Sequence, residues 1–173
     1  MAGLIHIYCG DGKGKTTAAI GLAVRAAGAG KKVIFAQFLK NGTSSEIQIL
    51  SRLDSVTPYF LSSHRGFIKN MNEKERENAQ SDFTKLFRDV IQKAKEEADL
   101  LILDEAIASC NYGMIPEGEL LIFLKEKPAE LEVVMTGRNP SKQLLKLADY
   151  VTEMKKVKHP YDHGINARYG IEF

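Results

Sequence analysis

Tryptophan is absent from this chain, and cysteine occurs only twice, at Cys9 and Cys110. Two cysteines so far apart exclude a disulfide framework and a CxxC metal or redox pair. An excess of one charge is also missing: the formal net charge is +2, and the basic residues are scattered rather than gathered in one tract. A nucleic-acid or membrane-surface partner usually leaves a basic stripe, so neither is expected. No apolar run approaches the roughly 18 residues of a membrane span, and no signal-peptide pattern is recognised. The expected location is therefore the cytoplasm.

What is present is an ordinary globular composition, 44% apolar and 27% charged over 173 residues. That length suits one domain with a core of its own, and residues 1–173 are read as one. Short apolar runs alternate with helix-period segments, the pattern of an α/β fold whose mostly parallel central sheet is flanked by helices. Strands are expected at Leu4 to Cys9, Val33 to Phe38, Thr57 to Leu61, Leu100 to Leu103, Leu131 to Thr136 and Tyr150 to Met154. Helices are expected at Lys15 to Ala27, through Ile47 and Leu50, at Glu117 to Lys125 and at Ser141 to Ala148. Phe83, Leu86, Phe87, Val90, Ile91 and Ala94 fall at i, i+3, i+4, i+7, i+8 and i+11 and mark one further amphipathic helix. Its charges, Lys93, Lys95, Glu96 and Glu97 among them, read as a solvated face.

Chemistry concentrates in CGDGKGKTTAA, Cys9 to Ala19. Gly14, Lys15 and Thr16 supply the G-K-[ST] of a phosphate-binding loop, but Cys9 stands where the first glycine of that pattern belongs. The motif sits between an apolar strand and an alanine-rich helix, as such a loop must. Backbone amides of a glycine-rich turn, backed by the positive end of the next helix, bind phosphate oxygens. Lys15 adds a mobile positive charge, and Thr16 a hydroxyl for a divalent cation. A plain strand-to-helix turn would use the glycines alone and leave Lys15 and Thr16 without a role. Asp104 and Glu105 end an apolar strand downstream, where an acid can hold Mg²⁺ directly or through water, or simply cap the helix or loop after its strand. Either acid could be the ligand. His159 and His163 are four apart, yet Pro160 between them argues against a helical metal pair. His6 reads as a satisfied strand histidine and His64 as a loop residue.

Beyond these residues lies a resemblance. CGDGKGKTTAA, AQFLKNG (Ala36 to Gly42), LDE (Leu103 to Glu105), MTGRNP (Met135 to Pro140) and the tail ADYVTEMKKVKHPYDHGINARYGIEF resemble, in order and nearly end to end, the ATP:corrinoid adenosyltransferases of the CobA/CobO/BtuR family. The ending VTEMKKVKHPYDHGINARYGIEF reads as specific to that family. The resemblance implies a RecA-like P-loop NTPase fold and an unusual use of ATP. Co(I) of a reduced corrinoid attacks the ribose 5′ carbon and displaces inorganic triphosphate, with the nucleotide lying in the loop in the reverse of its usual direction. A RecA-like or kinase-like enzyme acting at the γ-phosphate is the rival reading of the loop, and a module that delivers adenosylcobalamin to dependent enzymes is another.

Carried over residue by residue, the resemblance puts the triphosphate against Gly10, Asp11, Gly12, Lys13, Gly14, Lys15, Thr16 and Thr17. Lys13, Lys15 and Glu105 become the catalytic group, while Thr16, Glu105 and the adjacent Asp104 hold Mg²⁺ or Mn²⁺. Gln37, Lys40, Glu46 and Arg138 also match family positions, Arg138 as a phosphate contact on its charge and fork geometry. ATP is then the co-substrate and a corrinoid the acceptor, with a reduced flavoprotein as electron donor and a homodimer as the expected assembly. The missing outer glycine is a family trait, whereas Asp11 replaces an asparagine and Cys9 a threonine. Asp11 is unfavourable beside phosphate unless it faces away or meets a ribose hydroxyl or a lysine. On the corrinoid side Gly66 and Phe67 match a G-F-x-W element whose tryptophan position is Lys69. Longer members carry a segment ahead of the first strand that helps cover the site, so closure here is expected to depend on another element or subunit.

Overall fold

The structure is a computed structural model that describes residues 2–40, 42–62 and 68–172, with the side chain of Lys69 left aside. The expectations at His64, Gly66, Phe67 and the Lys69 side chain lie outside the described residues.

Six strands form one sheet: β1 (Ile5–Cys9), β2 (Val33–Gln37), β3 (Val56–Phe60), β4 (Leu100–Asp104), β5 (Glu132–Thr136) and β6 (Tyr150–Glu153). Their order is β3-β2-β4-β5-β1-β6, and every pairing is parallel. Parallel strands covered on both faces become continuous apolar runs. β2, VIFAQ, and β4, LLILD, accordingly have no exposed residue. The weakly patterned third strand is real but lies at the sheet edge, where Pro58 is tolerated because no ladder donor is needed on its outer side. β6 forms the opposite edge and is exposed throughout.

Alternation divides the core into two layers. Ile7, Ile34, Leu101, Leu103, Val133 and Met135 face one side, packing against Phe83, Phe87, Val90 and Ala94 of α3 (Glu73–Glu97). Phe35, Ile102 and Val134 face the other, against Ala19, Ala23 and Ala26 of α1 (Lys15–Gly28). The small residues of α1 recur at helical spacing and let it lie close to the sheet. α3 begins well before its apolar stripe, at a capping box in which Asn72 and Glu75 each accept the other's backbone N–H. Its Lys93–Glu97 pair is exposed, as a solvated face requires.

Four shorter helices complete the layers: α2 (Ser45–Leu50), α4 (Ala106–Asn111), α5 (Glu117–Glu126) and α6 (Lys142–Leu147). α4 is an addition to the sequence reading, which placed no helix between Glu105 and Pro116. Among the described residues no helix is long and apolar enough to cross a membrane.

Candidate nucleotide site

Ligands of open parallel sheets bind at the carboxyl ends of the strands, and four strand ends converge here. β1 delivers the loop, β5 ends in Thr136, β4 in Asp104, and β2 in Gln37 with Lys40 just beyond. One strand, β5, separates the loop strand from the acid strand. Each of β2, β4 and β5 is followed by a non-glycine residue in the left-handed region: Leu39 (φ 59°), Glu105 (φ 60°) and Asn139 (φ 52°). These are all the described non-glycine residues with positive φ, and such strain typically gathers at functional sites.

The loop explains its own irregular glycine pattern. Its left-handed turns fall at Gly10 (φ 103°) and Gly14 (φ 116°), while Cys9 remains extended strand paired with Glu153. No glycine is required at Cys9, whose side chain is buried in the core. Gly12 has a second reason: a Cβ there would lie 2.6 Å from the carbonyl oxygen of Met154. That carbonyl accepts the Gly12 N–H at 2.7 Å, and the Met154 N–H is donated to Cys9 O at 2.8 Å. Asp11 closes the same clasp, its Oδ1 accepting the Lys156 N–H at 2.9 Å. That backbone hydrogen bond, more than any nearby cation, holds its carboxyl below the usual range. Asp11 therefore ties the loop to the chain after β6, through the backbone amide of a lysine.

Gly14 precedes α1 with no side-chain cap and no acid in the first turn, so no cap side chain occupies the first amides of the helix. The Lys15 ammonium donates to Gly12 O at 2.8 Å. Burial lowers its pKa, with the Arg138 charge adding to the effect and Glu105 opposing it.

Asp104 is the hub of the site and is fully buried. Its Oδ1 accepts from Thr16 Oγ1 at 2.8 Å and from Thr136 Oγ1 at 2.7 Å. Its Oδ2 accepts from Gln37 Nε2 and Lys40 Nζ, both at 3.3 Å. Gln37 Nε2 also reaches Glu46 Oε1 at 3.3 Å. Glu105 lies half-buried at the pocket wall. Burial and the Asp104 charge push its carboxyl upward, against Lys40, Lys15 and Arg138.

A pocket of about 520 Å³ gathers most of the residues expected from sequence: Asp11 through Thr17, Lys40, Glu105 and Arg138. Gly10, Gln37 and Asp104 stand behind its wall. The Arg138 side chain is exposed, and its backbone carbonyl accepts from Asn111 Nδ2 at 2.8 Å. Sequence reasoning gave no role to Thr136, or to His159, Ile171 and Glu172, which line the pocket from the tail. Thr136 had a visible signal, a polar end on an apolar strand; the return of the tail over the loop had none. Arg168 clips that tail by donating to Glu172 from Nε and Nη2, and the carboxyl is pulled down to about 2. His159 caps and His163 ends a single 3-10 turn, and the His159 ring accepts the Tyr161 N–H, so the two do not lie on an α-helix as a metal pair would. Among the described residues no cluster of three or more His, Cys, Asp or Glu is arranged to hold a metal alone.

A glycine-rich strand-to-helix loop, an acid on the strand two places away in the sheet and a hydroxyl joining them define an α/β fold of the RecA-like P-loop class. The comparison with known proteins then narrows the class. The family described as ATP:corrinoid adenosyltransferase BtuR/CobO/CobP matches residues 1–173, and the chain belongs to that family. It is 35% identical to the corrinoid adenosyltransferase of Escherichia coli K12, over 99% of this chain and 86% of that protein. It is 34% identical to corrinoid adenosyltransferase CobA of Salmonella typhimurium, with the same coverage. The corrinoid adenosyltransferase of Pseudomonas aeruginosa PAO1 is 32% identical, over 99% of this chain and 84% of that protein.

Proposed function

We propose that this protein is a corrinoid adenosyltransferase that joins the 5′-deoxyadenosyl group of ATP to the cobalt of a reduced corrinoid and releases triphosphate. The observation that carries the reading is the junction of loop and acid through Thr16 and Asp104, in a chain that the family covers from end to end. The Co(I) electron pair forms the cobalt–carbon bond at C5′, the C5′–O bond breaks, and its electrons leave on the triphosphate. Cobalt is thereby oxidised formally to Co(III). No proton is removed from a nucleophile, so the protein needs no general base, and positioning with charge stabilisation carries the rate.

Each residue then has a task. The amides of Gly10 to Thr17, with the N-terminus of α1, hold the triphosphate in the reverse of the usual direction. Lys13 and Lys15 neutralise charge developing on the bridging oxygen, and Arg138 contacts phosphate from the pocket rim. Lys40 and Gln37 hold Asp104 in place behind Thr16.

The donor set fits Mg²⁺, or Mn²⁺, co-bound with the nucleotide. Mg²⁺ typically takes one or two protein oxygens and completes its shell with phosphate and water rather than an all-protein cage. Thr16 Oγ1 gives its proton to Asp104, which leaves oxygen lone pairs for a cation, and Glu105 offers a carboxylate on the pocket wall. Bound there, the ion would neutralise part of the triphosphate charge.

The assembly we propose is a cytoplasmic homodimer, one domain per chain, supplied with electrons by a reduced flavoprotein. The test is anaerobic: purified protein, ATP and Mg²⁺ are mixed with chemically reduced cobalamin or cobinamide. Co(I) absorbance should decay only when protein and ATP are both present. Decay at the protein-free rate with both corrinoids would sink the proposal.

A further inference from the structure

Thr136 lies at the end of β5 with no exposed surface, and its one hydroxyl serves two residues at once. Thr136 Oγ1 accepts the Glu105 N–H at 2.8 Å and stands 2.7 Å from Asp104 Oδ1. A hydroxyl has a single proton. Because the Glu105 amide can only donate, the Thr136 proton is free to go to Asp104 Oδ1. The same Oδ1 accepts the proton of Thr16, so the remaining lone pairs of Thr16 are turned away from Asp104. Glu105, whose N–H Thr136 holds, has left-handed backbone at φ 60° with no glycine to ease it. Gly137, next in the chain, admits no side chain, since a Cβ would meet Ile107 Cβ at 2.7 Å and Ala108 N at 2.8 Å. The end of β5 is thus packed directly against the start of α4, which fixes where the hydroxyl can sit.

We infer that Thr136 is a positioning residue that sets both acids of the site with one hydroxyl, fixing Glu105 through its backbone and Thr16 through Asp104. The inference rests on the reading that this pocket takes a nucleotide together with a divalent cation. It adds that the strand between loop and acid supplies the link that aligns their oxygens, and that Thr136 itself touches neither phosphate nor cation.

The test uses ATP binding as a function of Mg²⁺ concentration, measured calorimetrically without corrinoid. Failure of adenosyl transfer would therefore leave it standing, and its own failure would leave adenosyl transfer standing. Thr136→Val keeps the shape but removes the hydroxyl, leaving the Glu105 N–H and one site on buried Asp104 without a partner. Half-saturating Mg²⁺ should rise about tenfold to a hundredfold, while Thr136→Ser should stay within about threefold of the unsubstituted protein. A merely structural role would lower the melting temperature of the valine variant and leave its Mg²⁺ dependence unmoved; that result overturns the inference. So does a serine variant as impaired in Mg²⁺ dependence as the valine variant. Should the valine variant fail to fold, amide exchange decides: the Glu105 N–H of the unsubstituted protein should exchange as slowly as the amides within β5, and fast exchange would refute the assignment.

Discussion

The two ends of the same parallel sheet use polar residues in opposite ways. At the amino ends, three carboxylates take up backbone amides. Glu132 accepts the Leu4 N–H and pairs with His6, Asp149 accepts the Ile5 N–H, and Asp99 accepts the Lys32 N–H, each amide bond at 2.8 Å. The backbone is relaxed and no described non-glycine residue there has positive φ. At the carboxyl ends, Asp104 is fully buried, three non-glycine residues are left-handed, Glu105 is raised and Lys15 lowered. The amino end shows what it takes to finish a strand. The excess of strain and charge at the carboxyl end is what a site requires beyond that, and natural folds tolerate such local conflict where it serves function.

The sharpest way to break this contrast is at Lys15. Lys15→Ala should lower kcat/KM for ATP about 10²–10³-fold by removing charge from the leaving triphosphate; steady-state kinetics showing normal turnover would refute its role. Next in size is Glu105→Gln, which should raise the Mg²⁺ needed for half-maximal ATP binding about tenfold. Its stability should move the other way. The folded carboxyl lies above its ordinary value, so Glu105 contributes stability that is full below the ordinary carboxylate range and is lost as pH rises through the raised value. The glutamine variant should therefore melt higher than the parent at pH 7, with the gain vanishing below about pH 4. A lower melting temperature at pH 7 would show that Glu105 holds the fold together like its counterparts at the other end.

The amino end should answer in stability alone. Asp149→Ala leaves the Ile5 amide without its partner and should cost about 1–3 kcal/mol in denaturant unfolding, with KM for ATP unchanged. A changed KM would dissolve the division between the two ends. The smallest effect belongs to the tail. The Glu172 carboxyl, held at about 2 by the Arg168 guanidinium, contributes its clip above the ordinary carboxylate range and loses it as pH falls toward about 2. In Arg168→Met, which removes the guanidinium but keeps the backbone N–H bond to Glu172, NMR titration should find the carboxyl raised part of the way toward the ordinary ~4.3; no change would mean that the side-chain pair does not persist in solution.

Much of the fold was legible because its signals are local. All six strands lie within about two residues of their expected limits, since buried parallel strands are written as apolar runs between breakers. The amino-terminal turns of α3 were not read because the residues before Phe83 are almost entirely polar and carry no periodicity. The Asn72 to Glu75 capping box is the one local signal of that start. α4 escaped because Ala106 to Asn111 is only six residues long and includes no charged residue to mark a polar face. In the site, loop and acids could be found because each is a short motif. What joins them is not written locally: Thr136 meets Asp104 only because β5 lies between β4 and β1. Asp11 finds the Lys156 amide only because β6 lies beside β1. Gln37, matched by resemblance, proves to lie behind the pocket rather than on its wall.

The central claim is that the loop cradles a departing triphosphate. Phosphorus NMR of the reaction of ATP with Co(I) cobalamin under Mg²⁺ tests it directly. The account predicts intact inorganic triphosphate, formed one for one with the cobalt–carbon product. ADP with orthophosphate, in step with the loss of Co(I), would contradict it.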